Sequence, residues 1–215
     1  MIKIVKKFTA VVGTFSPIEV NYYTVKKFLQ IDAPVVEVPN ILLTHAHFDH
    51  IAGLDKVNFS NETLFITIHK QELPILKEYN LYSFFVEEFS LYEKAEYNLL
   101  NGEEGEFKIK VNSSSLAIYW LLTPGHTPGS VTYALTINGI LHVFTGDFLF
   151  AESIGRCDLP MSNPEAMKSS LSRFSGWIKH LMKIHCISPQ NTIIYPGHGA
   201  RVRLSTLFKI NPFLT

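Results

Sequence analysis

The sequence carries no excess of charge of either sign. Its 215 residues hold 19 Lys plus Arg and 19 Asp plus Glu, a formal net charge of zero. A general nucleic-acid binder carries a basic excess, so no nucleic-acid partner is expected, although a local basic patch stays open. Cysteine is scarce: only Cys157 and Cys186 occur. Two cysteines make no disulfide framework, and a reducing, cytoplasmic compartment is the default expectation. No uninterrupted apolar run approaches the length that spans a bilayer, so no membrane partner is expected either. The apolar run near the N-terminus, in M-I-K-I-V-K-K-F-T-A-V-V-G-T-F, is broken by threonine and glycine. It is weak as a signal-peptide core and reads as a strand. Fixed-period repeats, low-complexity tracts and obvious linkers are all missing, which leaves one domain over residues 1–215 as the expectation. Apolar residues make up 47% of the chain, ordinary for a protein with a buried core.

What is present reads as two strand-rich halves. In the first, residues 2–12, 20–25, 28–31 and 40–44 are rich in β-branched, aromatic or aliphatic residues and read as strands. Residues 64–68 form a further apolar run, too short to read as a helix. Residues 48–57 could open a helix with Asp49 near its N-terminus, and residues 70–89 are helical in character. In the second half, 107–111, 116–122, 131–137 and 140–145 read as strands, divided by N-S-S-S and by Asn138-Gly139, a strong hairpin signal. The clearest helix follows S-N-P-E, with Asn163 as N-cap, Pro164 as first helical residue and Glu165 at the positive end of the dipole. Met167, Leu171, Phe174, Ile178, Leu181 and Ile184 supply its apolar stripe, and Gly176 is its weak point. Residues 192–195 read as a last strand. Strands in two groups with helices between and after suggest helices packed outside sheets.

The run T-H-A-H-F-D-H-I-A-G, residues 44–53, crowds His45, His47, Asp49 and His50 together. A strand repeat aligns the first three and leaves out His50, while a helical repeat divides the four between two stripes. A loop turning around something that all four touch fits better. Three later stretches share its grammar of apolar strand, loop marked by glycine or threonine, then ligand: W-L-L-T-P-G-H-T-P-G-S with His126, V-F-T-G-D with Asp147, and I-I-Y-P-G-H-G with His198. Five imidazoles and two carboxylates suit zinc or another borderline transition metal, with no thiolate involved. Seven ligands exceed one tetrahedral ion and suit two, if one carboxylate bridges and water fills the open positions. Open positions mark catalytic rather than structural sites. His69, His142, His180 and His185 read as ordinary core or surface histidines, His69 being the one placed to line a site mouth.

These four loops, in this order, resemble those of the metallo-β-lactamase superfamily, and the resemblance runs from about residue 2 to 214. It implies an α/β fold, the αββα four-layer sandwich, with the metals at one edge. It also implies His45, His47 and His126 on one metal, Asp49, His50 and His198 on the other, and Asp147 bridging. Asp32, in L-Q-I-D-A-P, resembles the family's aspartate that orients a ligand imidazole. The first outer helix is expected to be missing or shortened, because Val35 and Val36 lie between Pro34 and Pro39. An outer face left under-covered there would favour a partner, such as a homo-oligomer, or a looser edge.

G-D-F-L-F-A-E-S-I-G-R-C-D-L-P and the closing N-P-F-L are similar to the short, single-domain glyoxalase-II-like branch. That branch implies hydrolysis of a small-molecule acyl compound or thioester, such as a hydroxyacylglutathione, by a metal-bridging hydroxide, with Asp49 and Asp147 as catalytic carboxylates. Arg156 matches a basic residue that binds the glutathione tail; an ion pair with Asp158 is the alternative role for it. Asp158 and Ala200 stand where two aromatic residues lie near glutathione in those enzymes, and no C-terminal helical glutathione-binding domain is expected. Two zinc ions are the expected cofactor, with iron or manganese as alternatives. The same ligands leave other functions open. A persulfide dioxygenase would use one iron on His45, His126 and Asp147, a two-histidine, one-carboxylate face. Phosphodiesterase or nuclease activity and a non-catalytic metal-binding role are further alternatives.

Overall fold

The computed structural model describes residues 2–10, 18–25, 28–33, 38–51, 64–76, 95–111 and 113–214. The chain divides into two compact units, Met1–Asn101 and Gly102–Thr215.

The first unit holds a six-stranded mixed sheet in sequential order: β1 (Ile2–Ala10), β2 (Ile18–Val25), β3 (Leu29–Ile31), β4 (Asn40–Leu42), β5 (Leu64–His69) and β6 (Ala95–Leu100). The first three strands pair antiparallel, whereas β3 to β6 run parallel. Parallel strands end at one edge of their sheet, so the segments leaving β3, β4 and β5 emerge side by side. Those segments begin with Asp32, Leu43 and Lys70. Val38, Ile41, Leu43, Ala46, Ile51, Ile66 and Ile68 form the unit's main apolar cluster. The expected strand over 40–44 stops at Leu42: Leu43 N–H still donates to β5, at the Thr67 carbonyl 2.9 Å away, but Thr44 N–H turns to the Asp32 carboxylate. Helix α1 spans only Phe48–Ile51 among the described residues, and the remainder of the expected 48–57 helix lies outside them. Residues 70–72 form a 3-10 turn and 73–76 one helical turn; the rest of the expected 70–89 helix lies outside the described residues. So does the heart of the Pro34–Pro39 segment, at 34–37.

The second unit holds another six-stranded mixed sheet, in the order β12-β11-β10-β9-β8-β7. Its strands are β7 (Glu104–Val111), β8 (Ser114–Leu122), β9 (Val131–Ile137), β10 (Ile140–Gly146), β11 (Thr192–Pro196) and β12 (Val202–Arg203). Strands β8 and β10 each pair antiparallel with β9, and β11 is parallel to β10. It follows that β8, β10 and β11 point the same way and release their C-terminal loops at one edge. Asn138 and Gly139 join β9 to β10 with φ of 52° and 72°, the left-handed pair that a tight hairpin turn demands.

Helix α2 (Pro164–Ile184) packs on this sheet. Asn163 caps it as its sequence position predicts: the side-chain oxygen accepts from Glu165 and Ala166 N–H, each at 3.0 Å. Met167, Leu171, Phe174, Ile178 and Leu181 are buried against Leu121, Ala134, Leu141, Val143 and Ile194. Ile184, expected on the same stripe, is 50% exposed. At 100° per residue it lies roughly 100° round from the stripe's centre, which turns it off the core in the last turn. A second helix, α3 (Leu204–Ile210), follows β12, and its Leu204 and Leu207 are fully buried in the same core. Sequence periodicity also missed β6 and the first residues of β7. Glu104–Glu106 at the start of β7 are exposed and carry no apolar side chain, whereas β6 does alternate, with Ala95 and Tyr97 half-buried between exposed Glu96 and Asn98, over a stretch too short and too polar to stand out. In β7, Gly105 is needed for close packing, because a Cβ there would sit 2.8 Å from the Trp120 indole nitrogen.

Candidate metal centre

In the first unit, the β4–α1 loop brings three imidazoles into contact. The rings of His45 and His47 have centroids 4.8 Å apart, and those of His45 and His50 are 4.1 Å apart. His45 and His50 are buried and His47 half-buried. Asp49, in the first turn of α1, has its carboxylate 3.7 Å from His50 Nε2. The four residues of the T-H-A-H-F-D-H run are therefore gathered on one short turn, as their crowding suggests.

The Nδ1 atoms of His45 and His50 have neighbours that fix the orientation of their rings. Asp32 Oδ2 lies 3.0 Å from His50 Nδ1, and the same carboxylate accepts from Thr44 N–H at 2.8 Å and from the Thr44 hydroxyl at 2.7 Å. That hydroxyl is 3.1 Å from His45 Nδ1. Asp32 takes a left-handed backbone, φ 53°, which a short polar residue tolerates better than most. Nδ1 engaged in this way leaves Nε2 as the ligand nitrogen. One contributor escaped the sequence reading. Glu72, fully buried after β5, accepts the Ala46 N–H at 2.8 Å and so pins the loop between His45 and His47. A single glutamate in H-K-Q-E-L-P carries no motif, and only the parallel β4–β5 pairing brings it there. His69, just before it, is buried, and its Nδ1 accepts from Gln71 N–H at 3.4 Å as the cap of the 3-10 turn.

In the second unit, the loops after β8, β10 and β11 bring His126, Asp147 and His198 together. Asp147 Oδ2 is 3.5 Å from His126 Nε2 and 3.3 Å from His198 Nε2. Two ligand atoms each ~2.1 Å from a tetrahedral ion stand ~3.4 Å apart, so both pairs have the separation of ligands sharing an ion. His126 Nδ1 lies 2.9 Å from the Arg156 carbonyl, which again turns Nε2 toward the carboxylate. Gly155 makes this approach possible: a Cβ there would fall 1.7 Å from the Asp147 carbonyl oxygen and 3.2 Å from His126 Cβ. The Arg156 side chain is exposed and forms a bidentate pair with Asp158 at 2.8 and 2.9 Å. Hydrogen bonding within the pair holds the Asp158 carboxyl below its usual range and the guanidinium above its own.

The remaining histidines lie elsewhere. His142, inside β10, meets the Tyr195 hydroxyl at 2.9 Å, and burial pushes its pKa down to about 4. His180 is exposed on α2, and His185 packs edge-on against Tyr119. In both units the donors are nitrogens and carboxylate oxygens with braced imidazoles, a set that fits zinc, iron or manganese rather than a thiolate-selective metal. No helix among the described residues is long and apolar enough to cross a membrane.

Comparison with known proteins agrees with this chemistry. A model of the metallo-beta-lactamase superfamily matches residues 24–198. The chain is 34% identical over 175 residues to the probable metallo-hydrolase YqgX of Bacillus subtilis, covering 81% of this chain and 74% of that protein. It is 31% identical over 164 residues to BaeB of Bacillus velezensis, a probable polyketide biosynthesis zinc-dependent hydrolase, covering 76% and 58% respectively. Among solved structures, a di-iron-bound form of TTHA1623 aligns with a TM-score of 0.65 at 27% identity, over 95% of this chain and all of that one. The loops that carry the candidate ligands fall within the matched span, and the chain belongs to the metallo-beta-lactamase superfamily of metallo-hydrolases and has its α/β fold.

Proposed function

We propose that the protein is a dinuclear metal-dependent hydrolase that cleaves a thioester or a similarly activated acyl bond. The observation that carries the reading is Asp147, one of whose oxygens stands at ligand–ligand distance from two imidazole nitrogens at once. A carboxylate so placed suits a bridge between two ions better than membership of a closed structural site. In this reading His45, His47 and His126 would hold one ion, and Asp49, His50 and His198 would hold the other. Zinc is favoured by the imidazole-rich donor set and by the name of the BaeB relative; iron is the alternative that the TTHA1623 structure supports. When bound, such a pair of ions polarises a carbonyl oxygen and lowers the pKa of water toward neutrality.

The chain's own groups supply orientation and proton handling. Asp49 orients the attacking water and takes its proton. The water oxygen bonds to the acyl carbon, the carbon–sulfur bond breaks, and the proton passes to the departing thiolate, leaving a carboxylic acid and a thiol. Asp32, Thr44 and the Arg156 carbonyl hold the imidazoles that must not move during this exchange. Arg156 suits a carboxylate-bearing tail of the substrate, which would displace Asp158 from the exposed guanidinium.

The test is a substrate panel run on metal-stripped and reconstituted protein: hydroxyacylglutathione thioesters, lactones, phosphodiesters and glutathione persulfide. Thioester hydrolysis that returns with zinc is expected. Oxygen uptake on the persulfide with bound iron would overturn the reading in favour of a dioxygenase, and full activity in the stripped protein would remove the metal from the account.

A further inference from the structure

We propose that Asn211 is a positioning residue for the metal ligands of the second unit, a role that rests on the metal-centre reading above. Asn211 follows α3 and is fully buried. Its backbone N–H donates to the Leu207 carbonyl at 2.9 Å, which ties it to a helix anchored in the core. Its side-chain amide donates to the Phe150 carbonyl at 2.9 Å and to the Ser153 carbonyl at 3.0 Å, and its side-chain oxygen accepts from Phe213 N–H at 2.9 Å. Both N–H bonds of one amide are thus spent on one loop.

That loop carries or touches every ligand of the unit. It leaves β10 through Asp147, closes at the Leu149–Ile154 bridge, and returns through Gly155 against the Asp147 carbonyl. Its next carbonyl, that of Arg156, holds His126 Nδ1. Phe150, whose carbonyl Asn211 grips, places its ring 6.2 Å from that of His198. A shift of the loop would therefore displace Asp147, swing His126 and unseat the packing beside His198 together. The chemistry of the amide is specific. Aspartate has the same shape but no N–H, so it would set a carboxylate against two carbonyl oxygens. Alanine removes the grip without adding repulsion.

The experiment compares the full-length chain with Asn211→Asp and Asn211→Ala. Zinc affinity is measured by competition with a chelator, and the ligand field by the visible spectrum of the cobalt-loaded protein. Asn211→Asp is expected to bind at least one ion about tenfold more weakly, with a changed cobalt spectrum, and Asn211→Ala to fall between it and wild type. Folded variants with wild-type affinity and spectrum would overturn the proposal while leaving the metal centre intact. Should the variants not fold, hydrogen exchange on the wild type decides: zinc should slow exchange at the 150–155 amides and at Phe213 N–H, by reciprocity of coupling. Unchanged exchange there counts against the proposal. A wild-type chain that takes up no zinc, iron or manganese would sink both this role and the metal-centre reading.

Discussion

The two units assemble their candidate ligands in opposite ways. The first gathers four donors from one stretch of six residues, His45 to His50, with Asp32 and Glu72 bracing it from the neighbouring parallel strands. The second gathers three donors from three loops spread over residues 126–198, and the common edge of β8, β10 and β11 makes them neighbours. The first arrangement is local in sequence, and its braces orient side chains that the chain already makes neighbours. The second depends on sheet register and on a single carboxylate, Asp147, shared by both of its histidines.

That contrast ranks the expected effects of mutation. Asp147→Asn removes the shared charge from the second unit. Hydrolysis should fall by at least roughly a thousandfold, with the thermal midpoint close to that of the metal-free wild type. A variant that retains substantial activity would mean that the three loops do not depend on this hub. Asp32→Asn should do less, because it alters only a brace in the first unit. An asparagine amide beside His50 Nδ1 would donate rather than accept, which disfavours the tautomer whose Nε2 carries the lone pair a metal would take. Metal affinity, measured against a chelator, should drop about 10- to 100-fold with the fold retained. Equal affinity in mutant and wild type would show that the loop holds itself. Gly176→Ala touches neither ligand set. A Cβ there meets nothing within 4 Å, so the helix should gain up to about 1 kcal/mol, seen as a rise of a few degrees in the thermal midpoint at unchanged activity.

The same contrast decides what could be read from the sequence. The first ligand set is visible because its histidines crowd in a pattern that neither helix nor strand explains. The second is visible through its strand–loop–ligand grammar, repeated at His126, Asp147 and His198. The Asn163 cap and the Asn138-Gly139 turn were legible because their chemistry is local. The contacts of Glu72 and of Asn211, the first residue of the closing N-P-F-L, were not, since each acts across a gap that only tertiary pairing closes: 26 residues from Glu72 to Ala46, and 61 from Asn211 to Phe150. Arg156 shows the same limit at the level of one residue. Its place after Gly155 is in the sequence, but it is the backbone carbonyl, carrying no sequence signature of its own, that holds His126.

The proposed function requires that the two candidate ligand sets serve one pair of ions. The most direct measurement is the number of metal ions per chain, by mass spectrometry after zinc reconstitution and exhaustive dialysis. The account predicts two ions per chain in the wild type and one or fewer in Asp147→Asn. A wild-type chain that retains a single ion, or none, would contradict it.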